Sequence, residues 1–152
     1  MNKALLIVDV QHDFCPGGAL PVPGGDEVMP EILAWLAHAQ SHHWPVVASR
    51  DWHPKQHCSF DVCGGLWPVH CVQNTPGAAF HSGLRLPQDA YIINKGMDED
   101  REAYSAFSGV EASSGASLSD LLTQHGVTDV YIGGLALDYC VDATAHDAIK
   151  AG

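Results

Sequence analysis

The run ALLIVDV at residues 4–10 restricts the fold more than any other stretch of the chain. A strand buried on one face alternates apolar and polar side chains, because successive residues point to opposite sides. An almost unbroken apolar run requires cover on both faces, which is the signature of a parallel sheet enclosed by helices. The pattern repeats along the chain. PVVAS (45–49), AYIINK (90–95) and TDVYIGG (128–134) read as further strands. Between and after them lie helix-period segments. In DEVMPEILAWLAHAQSHH (26–43), Val28, Ile32, Trp35, Leu36 and Ala39 share one helical face. Asp26 is the expected N-cap, and Pro30 fits only in the first turn. SLSDLLTQHG (117–126) opens on Ser117 three residues before Asp120 and closes on Gly126. The last segment, VDATAHDAIKAG, places Val141, Ala145, Ala148 and Ile149 on one face. Strands alternating with helices predict a doubly wound, mostly parallel α/β sheet with helices on both faces, in one domain over residues 1–152.

Charge and composition narrow the partners. The net charge is −11, with 7 Lys+Arg against 18 Asp+Glu, which excludes the basic patches that nucleic acid or an anionic membrane surface requires. No window approaches 18 uncharged apolar residues, and Asp9 interrupts the N-terminal run, so neither a membrane span nor a signal peptide is expected. The five cysteines are odd in number and form no CxxC, a usage that fits a reducing cytoplasm. Residues 51–89 break the strand–helix economy. This long segment has no clear period and is rich in His, Cys, Pro and Trp, and such loops are usually functional.

In open α/β sheets, ligands bind beyond the carboxyl ends of the strands. Asp9 stands at the first such end, Asp51 and His53 at the second, Lys95 at the third, and the Gly133-Gly134 turn leads to Cys140 at the fourth. A lone cysteine is more often an inert core thiol than a nucleophile. Cys140 differs in its position at a helix start, where unpaired N–H groups are expected to lower the thiol pKa, and in its company of Asp9 and Lys95. The stretch RDWHPKQHCSF (50–60) offers Asp51, His53 and His57, and WPVHC (67–71) adds His70. An Asp-x-His pair on extended backbone points both side chains to one side. One carboxylate with two or three imidazoles suits Zn²⁺, Fe²⁺ or Mn²⁺. The same residues would equally serve as a His-rich solvated loop.

Taken together, LLIVDVQHDF, SRDWHPKQHCSF, LWPVHCVQNTPGAAFH, NKG and GGLALDYCV resemble nicotinamidases, also called pyrazinamidases, of the isochorismatase-like cysteine hydrolase family. The resemblance runs from residue 4 to about residue 150. It implies a three-layer α/β/α fold and hydrolysis of nicotinamide to nicotinate and ammonia, or of pyrazinamide to pyrazinoate, through a thioester, in NAD salvage. It implies a triad of Asp9, Lys95 and Cys140 and a divalent metal held by Asp51, His53 and His70, with His57 as a further candidate. It also implies oxyanion donors from the backbone of Ala136 and Cys140, a cis Leu135–Ala136 bond, and pocket walls from Phe14, Leu20, Trp67 and Tyr104. The segment 51–89 becomes a metal-binding insertion.

Two departures accompany the resemblance. Position 137 is Leu in a segment that often reads Ala-Thr-Asp in relatives. Relatives also continue past the AIKAG ending into another parallel strand and at least one helix, so a C-terminally truncated domain with an uncovered apolar flank is expected. The competing readings are an amidase of the same family acting on a carbamoyl or ureido substrate, and a non-catalytic metal- or ligand-binding module. Homo-oligomerisation is left open by the sequence.

Overall fold

The structure, a computed structural model, describes residues 2–152. Five strands form one sheet: β1 (Asn2–Val8), β2 (Val46–Asp51), β3 (Tyr91–Lys95), β4 (Val110–Glu111) and β5 (Val127–Gly134). Three α-helices accompany them: α1 (Met29–Ser41), α2 (Leu118–Gln124) and α3 (Asp142–Ala151). The strand order is β4-β3-β2-β1-β5, with every pairing parallel except the short antiparallel contact of β4 with β3. The mostly parallel, doubly wound sheet expected from the apolar runs is therefore what forms.

β1 explains the layering. Leu5 and Ile7 pack with Met29, Ile32 and Leu36 of α1 on one face. Ala4 and Leu6 pack with Leu118 and Leu121 of α2 on the other. Val8 continues that second face toward Cys140 and Val141, next to α3. Alternate residues of one strand thus reach opposite helical layers, which is why its sequence lacks the usual polar positions. Burying each of these aliphatic side chains contributes on the order of 1.5–3 kcal/mol before entropy is counted.

Element ends follow local chemistry, with two differences from expectation. Ser117 caps α2 as expected, its hydroxyl accepting from the Asp120 N–H at 3.1 Å. Asp26, however, does not cap α1 with its side chain. It lies in a 3₁₀ turn (Gly25–Val28) that runs straight into the helix, and its carbonyl accepts from the Met29 N–H. The aliphatic face of α1 is buried at Ile32, Leu36 and Ala39, but Trp35 remains 39% exposed and stacks near Tyr131 of β5. β5 is an edge strand, and Ile149 on α3 is 79% exposed. Among the described residues no helix is long and apolar enough to cross a membrane.

The topology reverses direction at β1, which is flanked by β2 on one side and β5 on the other. Such a switch point opens a crevice beyond the carboxyl ends of the strands. Gly134 lets the two strands that frame it approach closely. Its φ of +139° is open only to glycine, and a Cβ there would overlap the Val8 carbonyl.

Candidate active site

Asp9 follows β1 directly and is fully buried. Its φ of +50° places a non-glycine residue in the left-handed region, a strained conformation of the kind that gathers at functional sites. Ser49 holds it there: the Asp9 N–H donates to the Ser49 carbonyl at 3.1 Å, and the Ser49 hydroxyl donates to Asp9 Oδ1 at 2.7 Å. Asp51 ends β2 and Lys95 ends β3, and the two are register partners across the sheet. Parallel pairing alone therefore brings the carboxylate and the ammonium together.

The Lys95 ammonium is the hub. Its Nζ lies 2.8 Å from Asp9 Oδ2, donates a short hydrogen bond to Asp51 Oδ1, and reaches Cys140 Sγ at 3.4 Å. Ligand atoms of Asp9, Asp51 and Cys140 all lie within 4.8 Å of one another. That trio has the donor set of a cation site, but the lysine already supplies its cation. Buried charges persist only when paired, and here one ammonium faces two carboxylates.

This asymmetry divides the two acids. Burial favours the neutral form of Asp51, but Lys95 and the adjacent His53 and His70 overcome it and hold the carboxyl well below its ordinary range. Burial also raises Asp9; Lys95 opposes the rise, the charge on Asp51 adds to it, and the net direction is upward. Asp51 stays ionised, whereas Asp9 is the carboxylate prepared to accept a proton. Burial lowers Lys95, yet Asp51 and Asp9 keep it well above the usual lysine value.

Cys140 corrects one sequence expectation. It lies in a π-helical turn (Leu137–Val141) ahead of the first residue of α3. The thiol pKa goes up, not down: burial raises it, Lys95 opposes this, and the negative charges of Asp9 and Asp51 raise it further. The helix-start argument counted the N–H groups but not the desolvation or the two carboxylates nearby. The resting state is a thiol beside a proton acceptor.

The segment after β2 folds back on itself. The His53 N–H donates to the Cys71 carbonyl at 3.0 Å, and the Gln73 N–H donates to the His53 carbonyl at 2.8 Å. This pairing sets DWH beside VHC and brings His70 to the same carboxylate as His53. His53 Nε2 is 3.4 Å, and His70 Nε2 3.7 Å, from Asp51 Oδ2. Each ring is turned by its other nitrogen, His53 Nδ1 bonding the Gly96 carbonyl at 2.8 Å and His70 Nδ1 the Pro68 carbonyl at 2.7 Å. Carbonyl bonds of this kind orient metal-binding imidazoles. Gly96, at φ +63°, also leaves the room that the His53 ring occupies. The donor set therefore fits one divalent metal: the ligand atoms of Asp51, His53 and His70 lie within 4.8 Å of each other, and all three residues are buried.

His57 stands outside that group. Its ring lies 4.1 Å from that of His53, but both nitrogens are engaged, Nδ1 with the Ser59 hydroxyl at 2.7 Å and Nε2 with the Arg101 carbonyl at 3.0 Å. A carbonyl accepts only, so Nε2 carries the proton; Nδ1 accepts from the Ser59 N–H at 3.2 Å, so the ring is held as the neutral tautomer, in line with the downward push from burial and from His53.

Above these groups is a cavity of about 260 Å³. Phe14, Leu20, Trp67 and Tyr104 all line it, as do Asp51, His70, Ala136 and Cys140. The Trp67 indole N–H donates to the Tyr104 hydroxyl at 3.2 Å, tying two walls together. The Leu135–Ala136 bond is cis. Among the described residues no carbonyl accepts from the Ala136 N–H.

Some functional positions escaped the sequence reading. Gln11, fully buried, clamps the backbone of Asp51: its Nε2 donates to the Asp51 carbonyl and its Oε1 accepts from the Asp51 N–H, both at 2.9 Å. Phe60 is buried against the rings of His53, His57 and His70. Tyr139 completes the aromatic wall, 5.1 Å from Trp67. Gln11 had a signal, since it is the polar residue that directly follows the apolar run ending at Val10. Phe60 had none beyond being an aromatic residue in a polar loop.

The comparisons agree with this geometry. The isochorismatase domain model matches residues 3–152, and the chain belongs to that family. A nicotinamidase/pyrazinamidase of Mycobacterium tuberculosis is 43% identical, over 99% of this chain and 80% of its own length. The crystal structure of a Pyrococcus horikoshii pyrazinamidase in complex with zinc superposes with a TM-score of 0.91 at 49% identity, covering 100% of this chain and 80% of that one. The crystal structure of PnC1 from L. infantum in complex with nicotinate gives a TM-score of 0.84 at 42% identity, over 99% of this chain and 75% of its own.

Proposed function

We propose that this chain is a cysteine amidohydrolase that converts nicotinamide to nicotinate and ammonia, and pyrazinamide to pyrazinoate. The observation that carries the reading is the shared Lys95 ammonium, which joins Asp9, Asp51 and Cys140 beneath a small aromatic cavity. The relatives' names and the nicotinate-bound neighbour support the substrate class.

Asp51, His53 and His70 would hold one divalent ion, Zn, Fe or Mn. Once bound, it supplies a Lewis-acidic point that orients the pyridine nitrogen. His57 serves beside this group as a packed, neutral support for His53. The substrate ring lies between Phe14 and Trp67, with its carboxamide carbon over Cys140.

Asp9 takes the thiol proton as sulfur attacks the amide carbon. Lys95 holds the charge between them. The Ala136 and Cys140 N–H groups face the oxyanion of the tetrahedral intermediate, and one such donor contributes about 3–4 kcal/mol. Asp9 then returns the proton to the amide nitrogen, the C–N bond breaks and ammonia leaves. A water, deprotonated by Asp9, attacks the thioester; the C–S bond breaks and sulfur recovers the proton. The product acid would feed NAD resynthesis in the cytoplasm.

Ammonia release from nicotinamide tests the proposal. Metal-loaded protein is expected to turn over and a chelator to stop it. Cys140→Ala is expected to bind nicotinamide and release no ammonia. Undiminished release by that variant would overturn the reading.

A further inference from the structure

The proposed reaction turns a neutral amide into an anion of nearly the same shape. The apolar walls of the cavity cannot separate two such molecules, because they differ mainly in charge. The polar lining can. Three carboxylates, Asp51, Glu102 and Asp138, line the cavity, and among the described residues no lysine or arginine does. Lys95 lies below it with its charge engaged by Asp9 and Asp51. Asp51 is buried and ion-paired, whereas Glu102 and Asp138 are exposed at the mouth. Among the described residues neither of these two forms a salt bridge. Among the described residues the one side-chain hydrogen bond of Glu102 is accepted from the Ala103 N–H at 3.3 Å.

Their positions are built in. Glu102 precedes the wall residue Tyr104 by two, and Asp138 precedes Cys140 by two within the π-helical turn. The field of Glu102 reaches inside: burial raises the Tyr104 phenol, the Trp67 indole opposes that, and Glu102 adds to the rise.

We infer that Glu102 and Asp138 are specificity-determining residues that form an electrostatic filter, admitting the uncharged aromatic amide and weakening the hold on its carboxylate product. The inference rests on the amidohydrolase reading above. Two like charges at a partly screened mouth repel an anion several-fold each. The filter works against the attraction that a divalent ion at Asp51, His53 and His70 exerts on the same carboxylate, and so favours product departure.

The test is equilibrium binding of nicotinamide and of nicotinate, by calorimetry, to the full metal-loaded chain carrying Cys140→Ala. The comparison adds Glu102→Gln with Asp138→Asn. The double change is expected to tighten nicotinate about tenfold and to alter nicotinamide less than about twofold. Added salt is expected to tighten nicotinate in the parent and to have little effect in the double variant. An unchanged ratio of the two affinities, or no salt response in the parent, would overturn the filter. Because binding is read with the nucleophile removed, this result is independent of the ammonia assay on the unaltered chain.

Discussion

At the carboxyl ends of the strands, Asp9, Lys95 and His53 are each at most 1% exposed. At the amino ends a larger depression, about 590 Å³, is lined by Asn2, Lys3, His42, His43, Trp44 and His125. Both ends are rich in titratable side chains. They differ in solvent. The histidines of the amino end are exposed, and their contacts lie at the surface: the rings of His38 and His42 lie 4.1 Å apart, and His125 Nε2 meets the Tyr91 hydroxyl at 2.8 Å. No group of ligand atoms converges there among the described residues. Exposed groups of this kind need no buried partner to keep their polarity. At the carboxyl end burial removes water, and each charge must find a partner or be lost. Desolvation, rather than cavity size or residue type, marks the chemical end of this sheet.

Substitutions can break that contrast. Lys95→Met leaves Asp9 and Asp51 buried without their cation. Activity is expected to fall by about a thousandfold or more, and unfolding in denaturant should show a loss of about 3–5 kcal/mol. His42→Ala and His125→Ala, at the opposite end, are expected to stay within about 0.5 kcal/mol with full ammonia release. A comparable loss at both ends would remove the distinction. Next in size, His53→Ala is expected to weaken divalent metal binding by more than about 100-fold in a chelator competition, whereas His43→Ala leaves it unchanged. Gln11→Leu keeps all three ligands but frees the Asp51 backbone, and a loss of roughly tenfold in the same competition is expected.

The smallest effect concerns Glu111 in β4. Hydrogen bonds from the Ser113 and Ser114 hydroxyls and N–H groups outweigh burial and bring its pKa down to about 2, from an ordinary 4.5. A depressed carboxylate contributes stability that is fully present above pH 4.5 and is lost as pH falls toward 2. Glu111→Gln is therefore expected to cost about 1 kcal/mol at neutral pH. The gap from the parent should shrink below pH 4.5 in thermal melts at stepped pH. A gap that stays constant down to pH 2 would show that packing, not charge, holds this corner.

Much of this was legible in the residues. ALLIVDV encodes two-sided burial because a strand has only two faces, and β1 uses both. The positions of Asp9, Asp51 and Lys95 followed from the rule about strand ends, since parallel register carries each to the same rim. What stayed hidden depended on pairing between distant segments. β4 has only two residues, too few for any period to show. His57 looks like a ligand in RDWHPKQHCSF, but the Arg101 carbonyl that claims it lies 44 residues away. The direction of the Cys140 shift needed the burial and both carboxylates, neither of which a helix-start argument supplies.

The central claim is that Cys140 is acylated during turnover. Metal-loaded protein mixed with nicotinamide, quenched in acid within a turnover and examined by intact-protein and peptide mass spectrometry, tests it directly. The account predicts a mass gain equal to one pyridine-carbonyl group less the hydrogen it replaces, located on Cys140 and absent from Cys140→Ala. Ammonia release at the parent rate from Cys140→Ala, or acylation at another residue, would contradict it.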